Sequence, residues 1–459
     1  MIIDCKRGNS KVPFVLIVQL LALAVMGFVE FLVMTKGYPI PVNWGTLTNA
    51  GIALSLLAIW AITILKNPRA VFQRNVIWGI VMVLWFLIVE MNRRINYIPF
   101  QSLTVFAAVY LIAFPFASLA QDHERQAGIR IVSGFYIAAA LLLMVLGLFL
   151  LLGGTFSGQL SGRVYWDGAR LLVISHPNIT SRIFMIALAL CMGFFGESRK
   201  AWRKAVFLLV ALLLLAGIAL TNTRAVIIVI CFIIAGNAFF LVFKNNRKRF
   251  IPGVLAAILA AVLVFTSSSA LFEWNTERLT VQASMQTVQA ESADAAQIED
   301  EEASQDNQLK GNSNSGQQPL LTDLPTLNNR TTIWAAFLQK IQNEPAILLR
   351  GAVDSRLVLV NLHTHNAWLE ALIVLGLPGL LLVLMFSWNA TWSSLRLLWS
   401  CSTGMFQKNI ALLALAMMVA ALLEPCLFVT YLEWSFSDFF FFLCLGYLTL
   451  WSKQIAKTK

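Results

Sequence analysis

The chain reads as a succession of apolar blocks, each about 17–25 residues long, separated by short polar stretches. At a rise of ~1.5 Å per residue, such a block is long enough to cross the ~30 Å hydrocarbon layer as an α-helix. The short, alternating segments of a membrane β-barrel are missing. Twelve spans are predicted, near 12–34, 46–65, 75–91, 101–120, 129–152, 177–196, 205–220, 225–243, 251–270, 366–387, 409–425 and 437–452. The first carries the basic flank "CKRGNSK", but its apolar run is too long for a signal peptide and further spans follow, so it is read as a retained helix. The expected fold class is an all-α polytopic membrane protein. Residues 1–270 carry spans one to nine, 271–365 form one large loop, and 366–459 carry the last three spans.

Composition agrees with this pattern. A chain that is 58% hydrophobic and 12% charged, with mean hydropathy +0.74, is not a soluble globular protein. The net charge of +11 would suggest nucleic acid were it not confined largely to short loops such as "KNPRAVFQR", "ESRKAWRK" and "KNNRKR". These loops fall on one side of the span pattern, together with both termini, and hold about 21 of the 34 Lys and Arg residues. That side is expected to be cytoplasmic, where basic loops also meet anionic headgroups. The six cysteines, at 5, 191, 231, 401, 426 and 444, contain no CxxC pair, so neither a disulfide framework nor a zinc site is indicated.

Three segments then face outward. Residues 153–176 are Gly-rich with Arg163 and Arg170; "TNTR" at 221–224 is a very tight turn; and 271–365 is the long loop. Within that loop, 281–325 is rich in Gln, Ser, Ala and acids, including "ESADAAQIEDEEASQDNQ", and cannot bury enough apolar surface to order itself. Its acids read as a solvated run rather than a cation site. Residues 331–343 change character: Ile333, Trp334, Phe337, Leu338 and Ile341 share one helical face, as in an amphipathic helix lying on a membrane surface.

Arg224, Arg330 and His365 each stand at an expected outward helix start, where unpaired N–H groups and the positive dipole end point the same way. Two arginines beside such helix ends suit a dianion such as a diphosphate. The same positive end disfavours a charged imidazole, leaving His365 usable as a base. Taken singly, each residue has a plainer reading. Arg224 could snorkel at the interface, Arg330 could be a solvated first-turn residue, and His365 could cap or pack. Only the combination points to chemistry. Gly376 and Gly379 return to the face of His365, where small residues admit a neighbouring helix, and Pro378 should kink the span. No Walker loop, GxSxG or HExxH is present, and the first outward loop "TKGYPIPVNWGT" has no carboxylates. The expected chemistry uses neither metal nor nucleotide nor any other cofactor.

"LTNTRA" at 220–225, "NRTTIWAAFLQKI" followed by "RGAVDSR" at 350–356, and "LHTHN" continuing to Gly376 and Gly379 resemble the bacterial O-antigen ligase family. The resemblance implies a GT-C-like membrane glycosyltransferase fold in the bacterial inner membrane, with a periplasmic active site. It also implies transfer of a finished polysaccharide from undecaprenyl diphosphate to a sugar of the lipid A–core; attack of a hydroxyl from the face opposite the diphosphate would then invert the configuration. The essential arginines and histidine of the family fall on Arg224, Arg330 and His365. Asn366, His363, Arg350, Arg356, Arg163 and Arg170 are the further substrate-binding candidates. An O-antigen polymerase or a protein O-oligosaccharyltransferase shares the donor and much of the layout. A transporter is the alternative of another class: Glu30, Glu90 and Glu370 fall in spans, but no internal repeat is found and the notable residues gather at one face.

Overall fold

The structure is a computed structural model and describes residues 61, 65, 74–92, 108–114, 122–151, 164–167, 170–173, 177–221, 223–243, 246–271, 273–274, 277, 326–351, 366–422 and 436–457. The expected spans 12–34 and 46–65, and the acidic segment 281–325, therefore lie outside or almost wholly outside the described residues.

Long helices dominate what is described. They are α1 (Arg74–Asn92), α2 (Asp122–Leu151), α3 (Pro177–Glu197), α4 (Ala201–Leu220), α5 (Arg224–Phe243) and α6 (Phe250–Leu271). After the large loop come α7 (Thr326–Asn343), the short α8 (Ile347–Arg350), α9 (Ala367–Trp399), α10 (Met405–Ala420) and α11 (Phe436–Lys457). Among the described residues 7 helices are long and apolar enough to cross a membrane, and Arg74–Val89 and Met405–Ala420 are shorter apolar helices. The chain is a multi-pass membrane protein by that measure. One departure from an all-helical chain is a two-stranded antiparallel ribbon, β1 (Val164–Asp167) against β2 (Arg170–Val173), in the Gly-rich segment between α2 and α3. Its β-branched and aromatic residues flank "DG" at 167–168 in the sequence, a hairpin signal that helical periodicity hides.

The core is built from α3, α10 and α11, whose apolar residues are buried almost all round, whereas α6 is 11% buried and presents Ile251, Leu255, Leu259 and Phe265 outward. Such exposure is ordinary in lipid, where an apolar face needs no cover. Close packing at the centre relies on missing side chains. A Cβ on Gly79 would strike the carbonyl of Tyr110, and one on Gly446 the carbonyl of Phe114. Both carbonyls belong to the π-helical turn Ala108–Ala113 or to the residue just after it, where backbone groups sit off the regular ladder.

Polar pairs fix the register. Asn237 and Asn409, both fully buried, join α5 to α10 through their side-chain amides. Gly236 meets Leu412, and Lys408 lies over the Phe240 ring at 4.8 Å, so the two helices run antiparallel. The Glu197 carboxylate accepts from Arg130 at 2.6 Å and from the Phe406 amide at 3.3 Å, tying the end of α3 to the start of α10. Asn75 donates to Thr449 at 3.0 Å, which sets the start of α1 beside the last turns of α11.

These contacts give the bundle two unlike ends. One holds Arg74, Arg130, Arg199, Lys200, Arg203, Lys204, Lys248, Arg249, Arg396, Lys408 and Lys453, and is here called the basic end. The opposite end holds the starts of α3, α5, α9 and α11 and the finish of α10.

Candidate functional site at the end opposite the basic residues

Arg224 is the first residue of α5 because the turn before it is locked by threonines. The Thr221 hydroxyl donates to the Ile218 carbonyl at 2.7 Å and lies 3.1 Å from the Thr223 hydroxyl, and both threonines are buried. The Thr223 carbonyl accepts the amides of Val226 and Ile227 at 3.0 and 3.2 Å. Three residues thus separate the helix from the previous one, and the amides of Arg224 and Ala225 have no partner inside it.

Asn366 caps α9. It is extended (φ −153, ψ 117), and its Oδ1 accepts the amides of Trp368 and Leu369, each at 3.0 Å. Its Nδ2 donates to the Leu422 carbonyl at 3.2 Å, and the Ala367 amide donates to Ala421 at 2.9 Å. One amide side chain therefore ties the start of α9 to the finish of α10. Asn366, expected from sequence to contact substrate, thus holds two helix ends together.

Helix geometry sets the level of these groups. From the Asn237–Asn409 contact, α5 runs about 13 residues back to Arg224 and α10 about 12 forward to Ala421, or ~20 and ~18 Å. Arg224 and Asn366 thus stand at the same height, on helices that both flank α10. Interaxial spacings of ~8–10 Å place them no more than about 20 Å apart.

Below them lies an ion pair that sequence reasoning passed over. Arg182 of α3 donates to Asp438 in the first turn of α11 at 3.0 Å, with side chains 6% and 8% exposed. The signal was available, since an arginine in "ITSRIFMI" and an acid in "SFSDFFFF" interrupt apolar runs. Glu370, also buried, sits in the first turn of α9, where the helix dipole favours an acid.

The large loop returns to the same end. Phe337 and Ile341 of α7 pack with Ile347 of α8 on Ile373 of α9. The amphipathic face thus partly meets protein, while Leu338 remains exposed. Helix α7 begins at Thr326, just after Pro325, so Arg330 lies in its second turn. Expected from sequence over 331–343, the helix starts five residues earlier, so its first-turn amides sit about a turn ahead of Arg330.

Helix α9 is broken at Gly376 (φ +69, ψ −178), two residues before the proline expected to kink it. A Cβ there would meet the Leu349 carbonyl at 2.7 Å, and one on Gly351 (φ +76) would meet the Val374 carbonyl at 2.6 Å. The backbone of α8 thus fits into the break. Trp85 of α1 donates its indole N–H to the Leu375 carbonyl at 2.8 Å, an acceptor that the break releases, and a Cβ on Gly379 would lie 2.9 Å from that nitrogen. Gly376 and Gly379 therefore do not form a stripe continuous with the start of the helix. The helix also runs on to Trp399, well past the expected end at 387, and the part after the break is by itself ~35 Å long, enough to cross a bilayer.

His365, His363, Arg356 and Arg163 lie outside the described residues, though His365 immediately precedes the capping Asn366. Arg170 begins β2. Arg350 ends α8, half-exposed and 3.6 Å from Glu344, an ordinary surface pair.

Residues 209–384 match the family model described as O-antigen ligase, a stretch that runs from within α4 to the middle of α9 and includes Arg224, Arg330 and the Asn366 cap. The resemblance seen in the motifs and the family match cover the same part of the chain. No curated protein matches it.

Proposed function

With residues 209–384 carrying the O-antigen ligase domain as the premise, we propose that the chain transfers a polysaccharide from a lipid diphosphate to a sugar of the lipid A–core at the end opposite its basic residues. The observation that carries this reading is the common height of Arg224 and Asn366, two helix starts held beside one helix end. Both direct positive dipole ends to one side of the bundle, and at the start of α5 the amides of Arg224 and Ala225 have no partner inside the helix.

In this reading the donor diphosphate sits between Arg224 and Arg330. His365, next in sequence to the capping Asn366, removes the proton from an acceptor hydroxyl. The hydroxyl oxygen attacks the anomeric carbon from the face opposite the diphosphate, the glycosidic C–O bond to phosphate breaks, and the leaving diphosphate keeps the electron pair. The product has inverted configuration. Stabilising the departing charge with pre-aimed cations is the largest contribution, and proton removal adds ~10²–10⁴-fold. Arg163, Arg170, Arg350 and Arg356, with His363, are the further candidates for core or lipid phosphates. The basic end faces the cytoplasm, both termini lie there, and the site is periplasmic.

The test is ligation in cells and with purified protein. Arg224→Ala and His365→Ala should leave long polymer on its carrier lipid at normal protein levels. Full ligation by either variant would overturn the assignment.

A further inference from the structure

A cavity lies at the basic end, between α1, α9 and α11, with a volume of about 600 Å³. Among the described residues three cations line it, Arg74, Arg396 and Lys453, together with Trp78, Trp388 and Trp392, and no carboxylate does. The cations come from three helices far apart in sequence, so their convergence is a property of the fold.

Helix periodicity prepares one wall. Trp388, Trp392 and Arg396 recur every four residues on α9, which aligns them on one face. The two indoles stack, with centroids 6.5 Å apart and planes 9° from parallel, and the Arg396 guanidinium lies over the Trp392 ring at 5.3 Å. That contact holds the guanidinium over the ring and leaves its N–H groups to donate to an anion. Ser393, Ser452 and Thr449 add hydroxyls. Leu384 and Met385, further along the same helix, line the cavity and are 42% and 55% exposed. Polar donors thus give way to an apolar surface along the direction in which acyl chains would run. Trp388, 71% exposed, stands between the two as an interfacial ring would.

We propose that this cavity binds an anionic glycerophospholipid of the surrounding leaflet, with its phosphodiester between Arg74, Arg396 and Lys453 and its chains along Leu384 and Met385. A basic pocket between spans at the positively charged end of a membrane protein has the chemistry to recognise such a headgroup. The cavity is on the opposite end from Arg224 and Asn366, so the inference does not rest on the proposed reaction.

The purified full-length protein in detergent, titrated with phosphatidylglycerol or with phosphatidylcholine and read by native mass spectrometry, tests the proposal. Phosphatidylglycerol should bind at least tenfold more tightly. Each cation near the surface contributes about fivefold, so R74Q/R396Q/K453Q should lose about a hundredfold and bind the two lipids alike. Should the triple variant not fold, Arg396→Gln alone, at an exposed position, should lose about fivefold for phosphatidylglycerol and nothing for phosphatidylcholine. Equal binding of the two lipids by the native protein, or unchanged selectivity in R396Q, overturns the proposal. So does inorganic phosphate, added without lipid, if it raises the melting temperature as far as phosphatidylglycerol does, since the site would then take a soluble anion.

Discussion

Gly376 shows how a single residue can be dictated from two directions at once. Its positive φ is strained for any side chain, and the Leu349 carbonyl occupies the space of a Cβ. Gly376→Ala should cost about 3 kcal/mol and loosen α8 from α9, seen as a lower melting temperature and faster proteolysis near residue 350. Trp85→Phe should give a smaller loss, about 1 kcal/mol, because it removes only the bond to the Leu375 carbonyl. The Arg182–Asp438 pair makes a sharper case. Removing one buried partner leaves the other charge uncompensated, so Arg182→Ala should destabilise by about 3–5 kcal/mol. The double replacement R182M/D438L should recover most of that in a thermal melt. The helix start at Arg224 was legible because "TNTR" leaves no room for anything but a turn between two apolar runs. Arg182 was passed over because its partner is 256 residues away, a separation no local pattern reports.

Helices are where prediction from periodicity does well, and their ends are where it fails. Six expected spans, from 75–91, 129–152, 177–196, 205–220, 225–243 and 251–270, coincide closely with α1 to α6, since a bilayer imposes a length as well as a polarity. The break in α9 was looked for at Pro378, whose local rule is familiar, but it falls at Gly376, where another segment of backbone enters. Capping is the other element-scale device. Asn366 serves two helices, so Asn366→Ala should cost about 1–2 kcal/mol, more than an exposed cap. Asn366→Asp keeps the acceptor for Trp368 and Leu369 and loses only the donor to Leu422, so its melting temperature should fall between the two.

For the whole molecule, the separation of charge matters most. Ser198 and Ser402 lie in turns at the basic end, and Leu422 at the other. Single cysteines at these positions, in a chain without its own cysteines, should react differently with a membrane-impermeant maleimide applied from outside. L422C should label at once, and S198C and S402C only after the membrane is opened. The reverse pattern would invert the orientation and remove the periplasmic site.

Taken alone, the order of residues determined that this chain spans a membrane many times, which end of the bundle collects cations, and which short motifs resemble a ligase. Each follows from local rules of length, hydropathy and charge that a single stretch can satisfy by itself. Only the tertiary structure decided that α10 is tied to α9 through Asn366, that α8 fills the gap at Gly376, that Arg182 meets Asp438, and that Arg74, Arg396 and Lys453 share one cavity. Those are meetings between residues far apart along the chain. They depend on how apolar faces pack against one another, which the pattern of any one helix leaves undetermined.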